Sequence, residues 1–288
     1  VGSPLDRVGT RYAARAATVD AAAARAYAAA TNDPNPAYGR GQVPPLFAVV
    51  PAWESLMEAV TDLVPAEHLA RILHGEQDVH VHRPLVPGAT ISTWAEAHSV
   101  RAARTGTRVT VRLVSEDGAG PLVEQFSTMF VRGLTVGGDA GPEPPGHAFP
   151  EEARQRPVGE WTRSIDADQT YRYRDASGDH NPIHVDEEAA RAVRLPGIVV
   201  HGLCTMAMCG AAVVDGVAGG DPARLARLAV RFSWPVFPGH DLSCAVYEVG
   251  TEGDRAVYAF EATSKGKVVV RDGQAEVRVA PAPSGVGG

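Results

Sequence analysis

The chain is sparing with several features, and each absence narrows its function. Cysteine occurs three times, at Cys204, Cys209 and Cys244. The number is odd and no CxxC occurs, so neither a disulfide framework nor a structural zinc cluster is expected. A reducing, cytoplasmic setting fits this usage. No apolar run is long enough to span a bilayer. The opening VGSPLDRVGTRY lacks the apolar core of a secretory leader. There is no long Lys/Arg run, and the net charge is −7, so nucleic acid and anionic membranes are not expected partners. No G-x-S-x-G occurs and no serine sits at a strand–helix elbow, which argues against a serine hydrolase. The closing PAPSGVGG is neither a peroxisomal address nor a lipidation box, and residues 281–288 are expected to be a disordered tail.

What is present is a motif that occurs twice. Residues 177–184 read SGDHNPIH and residues 31–38 read TNDPNPAY. The stretches 19–38 and 165–184 align without a gap, each first-half residue lying 146 positions before its counterpart. Identical pairs include Asp20/Asp166, Tyr27/Tyr173, Asp33/Asp179, Asn35/Asn181 and Pro36/Pro182. Downstream, RPLVPG at 83–88 echoes WPVFPG at 234–239. Two echoes in the same order point to a duplication. Residues 137–157, rich in Gly, Pro and charge, read as a linker packed across a surface. The expected division is 1–136, linker 137–157, and 158–280.

Both halves share one order of elements. A short strand (11–19; 161–165) precedes a helix capped by Asp20 in one half and Asp166 in the other, the latter with Gln169 at capping-box spacing. The D-x-N-P loop follows, then a longer apolar helix: PAWESLMEAV, or GLCTMAMCGAAVVD at 202–215, which is apolar nearly all round and so buried on most sides. Four strands complete each half: 76–83, 89–100, 107–116 and 121–132, then 225–233, 241–249, 255–264 and 267–279. A buried helix followed by a meander predicts an α+β fold with an antiparallel sheet wrapped round each helix. Joining the two sheets edge to edge would cover two bare edges at once.

The intact motif carries chemistry. Pro182 disfavours helix at Asn181, so Asp179 and His184 lie across a tight turn and can converge. Asp186 is placed to cap EEAARAV. A carboxylate and an imidazole gripping one water form a general acid–base device, and Asn181 can hold the turn or orient a ligand carbonyl or water. His201 and Gly202 precede the apolar helix, where an unpaired Gly202 N–H can polarise a carbonyl. The HxH pair His80 and His82 shares one strand face, but no third ligand follows, and a metal site is not expected. Cys204 and Cys209 read as small core residues.

These stretches, SGDHNPIH, then GIVVHGLCTMA, then RFSWPVFPG, resemble the MaoC-like, R-specific enoyl-CoA hydratases (hydratase 2). The resemblance implies a double hotdog fold and reversible hydration of trans-2-enoyl-CoA to (3R)-3-hydroxyacyl-CoA. It implies Asp179 and His184 as the catalytic pair, Asn181 as their support, and Gly202 as oxyanion donor. Tyr173, Ser177 and His201 are carried as substrate-side candidates. No metal or redox cofactor is implied, because coenzyme A belongs to the substrate, and a homodimer is compatible with the fold. The first half, with Tyr38 in place of His184 and Asn32 in place of Gly178, reads as a degenerate hotdog shaping the acyl pocket. Two alternatives stand beside this reading. One is a (3R)-3-hydroxyacyl dehydratase acting on acyl carrier protein. The other is a non-catalytic acyl-thioester-binding subunit. Arg163, Arg191, Arg194 and Arg231 flank the motifs as candidates for the coenzyme A phosphates.

Overall fold

Apolar runs separated by tight turns form the strands of both meanders: those of the second half alternate buried with part-exposed residues, and those of the first half are buried over most of their length. The structure is a computed structural model and describes residues 3–279. The first half contains β1 (Arg15–Thr18), α1 (Ala21–Ala30), α2 (Val49–Leu63), β2 (Ile72–Val81), β3 (Thr90–Ala103), β4 (Gly106–Asp117) and β5 (Gly120–Arg132). The second contains β6 (Pro157–Ser164), α3 (Gln169–Ser177), α4 (Glu187–Ala192), α5 (Gly202–Val217), β7 (Leu225–Phe232), β8 (Asp241–Glu252), β9 (Arg255–Ser264) and β10 (Lys267–Arg278). The fold is α+β. The expected tail lies outside the described residues.

All ten strands join one antiparallel sheet, in the order β1-β3-β4-β5-β2-β7-β10-β9-β8-β6. The order is palindromic: each half runs from its first strand at an outer edge to the strand after its long helix at the centre. The edges meet as expected, β2 against β7, with Glu76 opposite Arg231 and His80 opposite Arg227. Side chains of opposite charge reinforce the seam. Arg227 Nε and Nη2 donate to Asp78 at 3.0 and 2.7 Å, both residues being buried.

The helices fill one face. In α5 every residue from Leu203 to Val214 is buried, so its near-uniform apolarity matches its surroundings. Gly210 lets it approach closely: a Cβ there would lie 3.0 Å from Leu228 and 3.3 Å from Leu46. In α2 only a stripe is buried, Val49, Ala52, Ser55, Leu56, Ala59, Val60 and Leu63, and from Ala52 onward it packs on Ala95, Val109, Val111 and Leu113 of the sheet.

The other face carries the linker. Ala140 exchanges backbone hydrogen bonds with Val100, Gly146 O accepts from Arg227, and His147 meets Asp272 O at 2.7 Å and Glu76 at 3.4 Å. Residues 137–157 thus cross the sheet from one half to the other. A 3-10 turn at Glu151–Gln155 leads into β6.

Some local expectations are corrected. Asp166 does not cap α3. The helix starts later, after Asp168, while Asp166 accepts from Arg172 at 2.5 Å. The Gln169 side chain still forms the reciprocal half of the motif, its Oε1 accepting the Asp166 N–H at 3.2 Å. The strand expected over 11–19 is regular only over Arg15–Thr18, because Arg11 makes only an isolated bridge to Glu96. β2 starts earlier than expected, its register shifting between His74 and Glu76 around Gly75. His80 and His82 do not converge, facing Asp78 and Glu124 respectively.

Candidate active site

The site grows from three local devices. Helix α3 ends at Gly178, which is left-handed at φ +79° and turns the chain sharply. The next residues form an Asx-type turn. Asp179 Oδ1 accepts the Asn181 N–H at 3.1 Å, and Asn181 Oδ1 accepts the Ile183 N–H at 3.3 Å. Asp186 then caps α4, accepting from Glu188 and Ala189. His184 is thereby swung back beside Asp179.

His184 is 8% exposed. Its Nδ1 lies 2.7 Å from the Val199 carbonyl. A carbonyl only accepts, so Nδ1 carries the hydrogen and Nε2 is left with a lone pair facing the site. His201 stacks on His184, ring centroids 3.7 Å apart and planes 25° apart. By the same logic His201 Nε2 donates to the Asp179 carbonyl at 3.2 Å. Its Nδ1 is buried without a partner among the described residues. Tyr173 lies behind His201 at 4.9 Å, and Tyr27 behind Tyr173 at 5.7 Å, so a column of rings runs from His184 into the first half.

Burial sets the protonation of this group. It raises the Asp179 carboxyl above the usual carboxylate range, against the pull of His184 and the Asn181 N–H. It lowers His184, against the Val199 bond and the Asp179 charge. It pushes His201 down to about 3, with His184 adding to the effect. Both members of the Asp179–His184 pair therefore shift toward their uncharged forms.

Gly202 is the first residue of α5, and the side chain of the preceding His201 makes no capping bond. The N–H groups of the first turn are thus free of side-chain caps and lie at the positive end of the helix dipole. A Cβ on Gly202 would meet the Phe232 ring at 3.2 Å. Close packing and an open N–H both call for glycine here.

Of the sequence candidates, Asp179, His184 and His201 come together, their ligand atoms all within 4.8 Å of one another. That donor set is one a metal could use, but stacked rings send their in-plane lone pairs side by side rather than to one point. Ser177 is buried and its Oγ accepts the Asp179 N–H at 3.2 Å. Tyr173 is 1% exposed. Ser177 thus meets the backbone of Asp179, and Tyr173 the ring of His201. The Asn181 side chain holds the turn and is exposed. Sequence reasoning did not foresee the Val199 carbonyl, the Phe232 ring, or Trp53, whose Cδ1 lies 3.9 Å from a Cβ position on Gly178. Val199 and Phe232 lie within the stretches GIVVHGLCTMA and RFSWPVFPG, but their nearness to His184 and Gly202, like that of Trp53 to Gly178, arises only from the fold.

The first-half loop repeats the turn atom for atom. Asp33 Oδ1 accepts from the Asn35 N–H at 3.2 Å, and Asn35 Oδ1 accepts from the Ala37 N–H at 2.9 Å. Asn32 replaces Gly178 and keeps a positive φ of +51°, which Asn tolerates. The other carboxylate oxygen is occupied, because Tyr38 Oη donates to Asp33 Oδ2 at 2.6 Å. Burial and the Asp33 charge hold the Tyr38 phenol far above its ordinary range. A 3-10 turn, Pro45–Ala48, runs straight into α2, so no open helix start faces this loop.

A double antiparallel fold thus sets an Asx-turn Asp–His pair beside an uncapped helix start, the arrangement that acid–base work on a polarised carbonyl would require. Comparisons with known proteins place the chain in a family. The MaoC like domain matches residues 149–270 and the MFE-2 hydratase 2 N-terminal domain matches residues 39–133. The 3-hydroxyacyl-thioester dehydratase Y of Mycobacterium tuberculosis is 33% identical, covering 82% of this chain and 81% of that protein. The peroxisomal enoyl-CoA hydratase 2 of Arabidopsis thaliana is 30% identical over 80% of this chain and 76% of its own length. A MaoC-like dehydratase from Phytophthora capsici superposes with a TM-score of 0.85 at 28% identity, covering 96% of this chain and 98% of that one. The chain belongs to the MaoC-like, hydratase 2 family, and it is an enzyme of the hydro-lyase class. Among the described residues no helix is long and apolar enough to cross a membrane.

Proposed function

We propose that the chain adds water reversibly across the double bond of a trans-2-enoyl-CoA, giving the (3R)-3-hydroxyacyl-CoA. The observation that carries this reading is the pairing of an Asp179 raised by burial with a His184 whose free Nε2 is a lone pair. The pair holds one proton in its uncharged state, on Asp179. His184 Nε2 takes a proton from the attacking water as its oxygen bonds to C3. Asp179 gives its proton to C2. A proton then passes from His184 back to Asp179, and the cycle closes. Both transfers come from one side of the substrate, as syn addition requires. The thioester oxygen, charged as the enolate develops, lies against the Gly202 N–H. Losing such a donor typically costs about 10²–10³ in rate, and acid–base catalysis supplies about 10²–10⁴. No metal or redox cofactor takes part. The first half shapes the acyl pocket, and one chain supplies the whole site.

The test is a spectrophotometric assay on crotonyl-CoA and a longer enoyl-CoA. Asp179→Asn and His184→Gln should each lower kcat by roughly 10²-fold or more. Full activity in either variant would overturn the assignment. A wild type inactive on every thioester would return the chain to the class of acyl-binding subunits.

A further inference from the structure

A coenzyme A ester needs cations for its phosphates, and the arginines flanking the motifs are largely engaged elsewhere. Arg163 pairs with Asp215, Arg191 with Glu187, and Arg231 with Glu76 and Asp272. The lysines are distributed differently. The whole chain has only Lys265, in the turn joining β9 to β10, and Lys267, the first residue of β10. Neither has a carboxylate within 4.0 Å among the described residues. Lys265 has a left-handed backbone, φ +49°. Lys267 Nζ lies 5.7 Å from the centre of the Trp234 indole, within cation–π reach.

Trp234 is 55% exposed and is the only exposed tryptophan of the four. Its position is fixed from both sides. Ser233 Oγ and N–H donate to the carbonyls of Val268 and Val269, tying it to the lysine turn. Phe232 packs on Gly202, and Val236 O accepts the Val200 N–H at 2.8 Å. The indole therefore sits midway along a segment whose two ends both touch the residues leading into α5. The segment that carries it is thus tied at both ends to the residues that open α5, beside His201 and Gly202.

We propose that Trp234, Lys265 and Lys267 bind the nucleotide end of the coenzyme A ester. The adenine lies on the exposed indole face and the two ammonium groups meet phosphate. This rests on the acyl-CoA reading above and adds the choice of carrier. An open aromatic face beside two unpaired cations suits a purine with phosphates. The indole face distinguishes the carriers, because the phosphopantetheine of a carrier protein brings no purine to stack on it.

The experiment has two arms. Calorimetry follows binding of coenzyme A, 3′-dephospho-coenzyme A and adenosine 3′,5′-bisphosphate to wild type, Trp234→Ala and Lys265→Gln/Lys267→Gln. Kinetics compares crotonyl-CoA with crotonyl-pantetheine and with crotonyl carrier protein. Base stacking on an aromatic side chain is worth about 1–3 kcal/mol. Trp234→Ala should therefore weaken coenzyme A binding roughly tenfold and lower the ratio of kcat/KM for the CoA ester over the pantetheine ester by a similar factor. The double lysine variant should narrow the gap between coenzyme A and its dephospho form. Unchanged affinity and ratio in Trp234→Ala, with an active wild type, would overturn the nucleotide site and leave the hydratase reading standing. Trp234-dependent binding without turnover of any ester would do the reverse. A lysine effect confined to the carrier-protein ester would identify a protein-docking patch and also overturn the proposal.

Discussion

One oxygen separates the two D-x-N-P loops. Asp33 and Asp179 are held by the same backbone bond, but Asp33 Oδ2 is closed by a phenol at 2.6 Å where Asp179 faces an imidazole. A phenol bonded to a carboxylate and raised by burial does not shuttle protons near neutral pH. Tyr38→Phe should leave kcat on crotonyl-CoA within about twofold of wild type. It should lower stability by about 1–3 kcal/mol in urea unfolding, since Asp33 loses a buried partner. A collapse of kcat with the fold intact would show that the first loop takes part in turnover. This contrast was legible in the sequence, because aligning the two loops places Tyr38 on His184 directly. The tautomers were not, because the Val199 carbonyl that sets His184 reaches the motif only through the fold.

Helix α5 gathers the site at its first turn. His201 stacks on His184 and donates to the Asp179 carbonyl, so the helix start grips both ends of the loop. His201→Phe keeps a flat ring beneath His184 and drops that hydrogen bond. It should lower kcat roughly tenfold, about 1.4 kcal/mol, with KM little changed. Steady-state kinetics checks this, and an effect confined to KM would instead make His201 a substrate contact. The element was readable as a buried apolar helix opening at Gly202, and its neighbours in the chain gave its place in the half. The ring column behind it was not readable, because Tyr27, Tyr173 and His201 are far apart in sequence. The start of α3 was misplaced for a related reason. Asp166 has a partner in Arg172 and in Asn32 of the other half, and that long-range competition does not show in local spacing.

At the scale of the molecule, the palindromic sheet follows from the duplication, and the linker ties the halves across the seam. His147 is central to that tie. Burial opposes its charge, but hydrogen bonds to Glu76 and to the Asp272 carbonyl outweigh it and raise its pKa above the usual 6.5. A raised pKa means that the charged form adds stability, in full below about pH 6.5 and lost as the pH rises through the folded value. The urea midpoint should thus fall between about pH 6 and pH 8, and His147→Gln should flatten that slope. An unchanged slope would place the pH dependence elsewhere. The repeat foretold the edge-to-edge join, but not this strap: its composition marked a linker and left its partners unspecified. The seam also bears on synthesis. As the chain leaves the ribosome, β2 can pair with β5, but its other edge stays bare until β7 is made. At 5–20 residues per second that wait is roughly ten seconds. Along that edge Glu76, Asp78 and His80 alternate, and a charged row is what keeps an unfinished sheet from pairing with a neighbouring nascent chain. The same residues that hold the finished halves together guard the first half while it waits for the second.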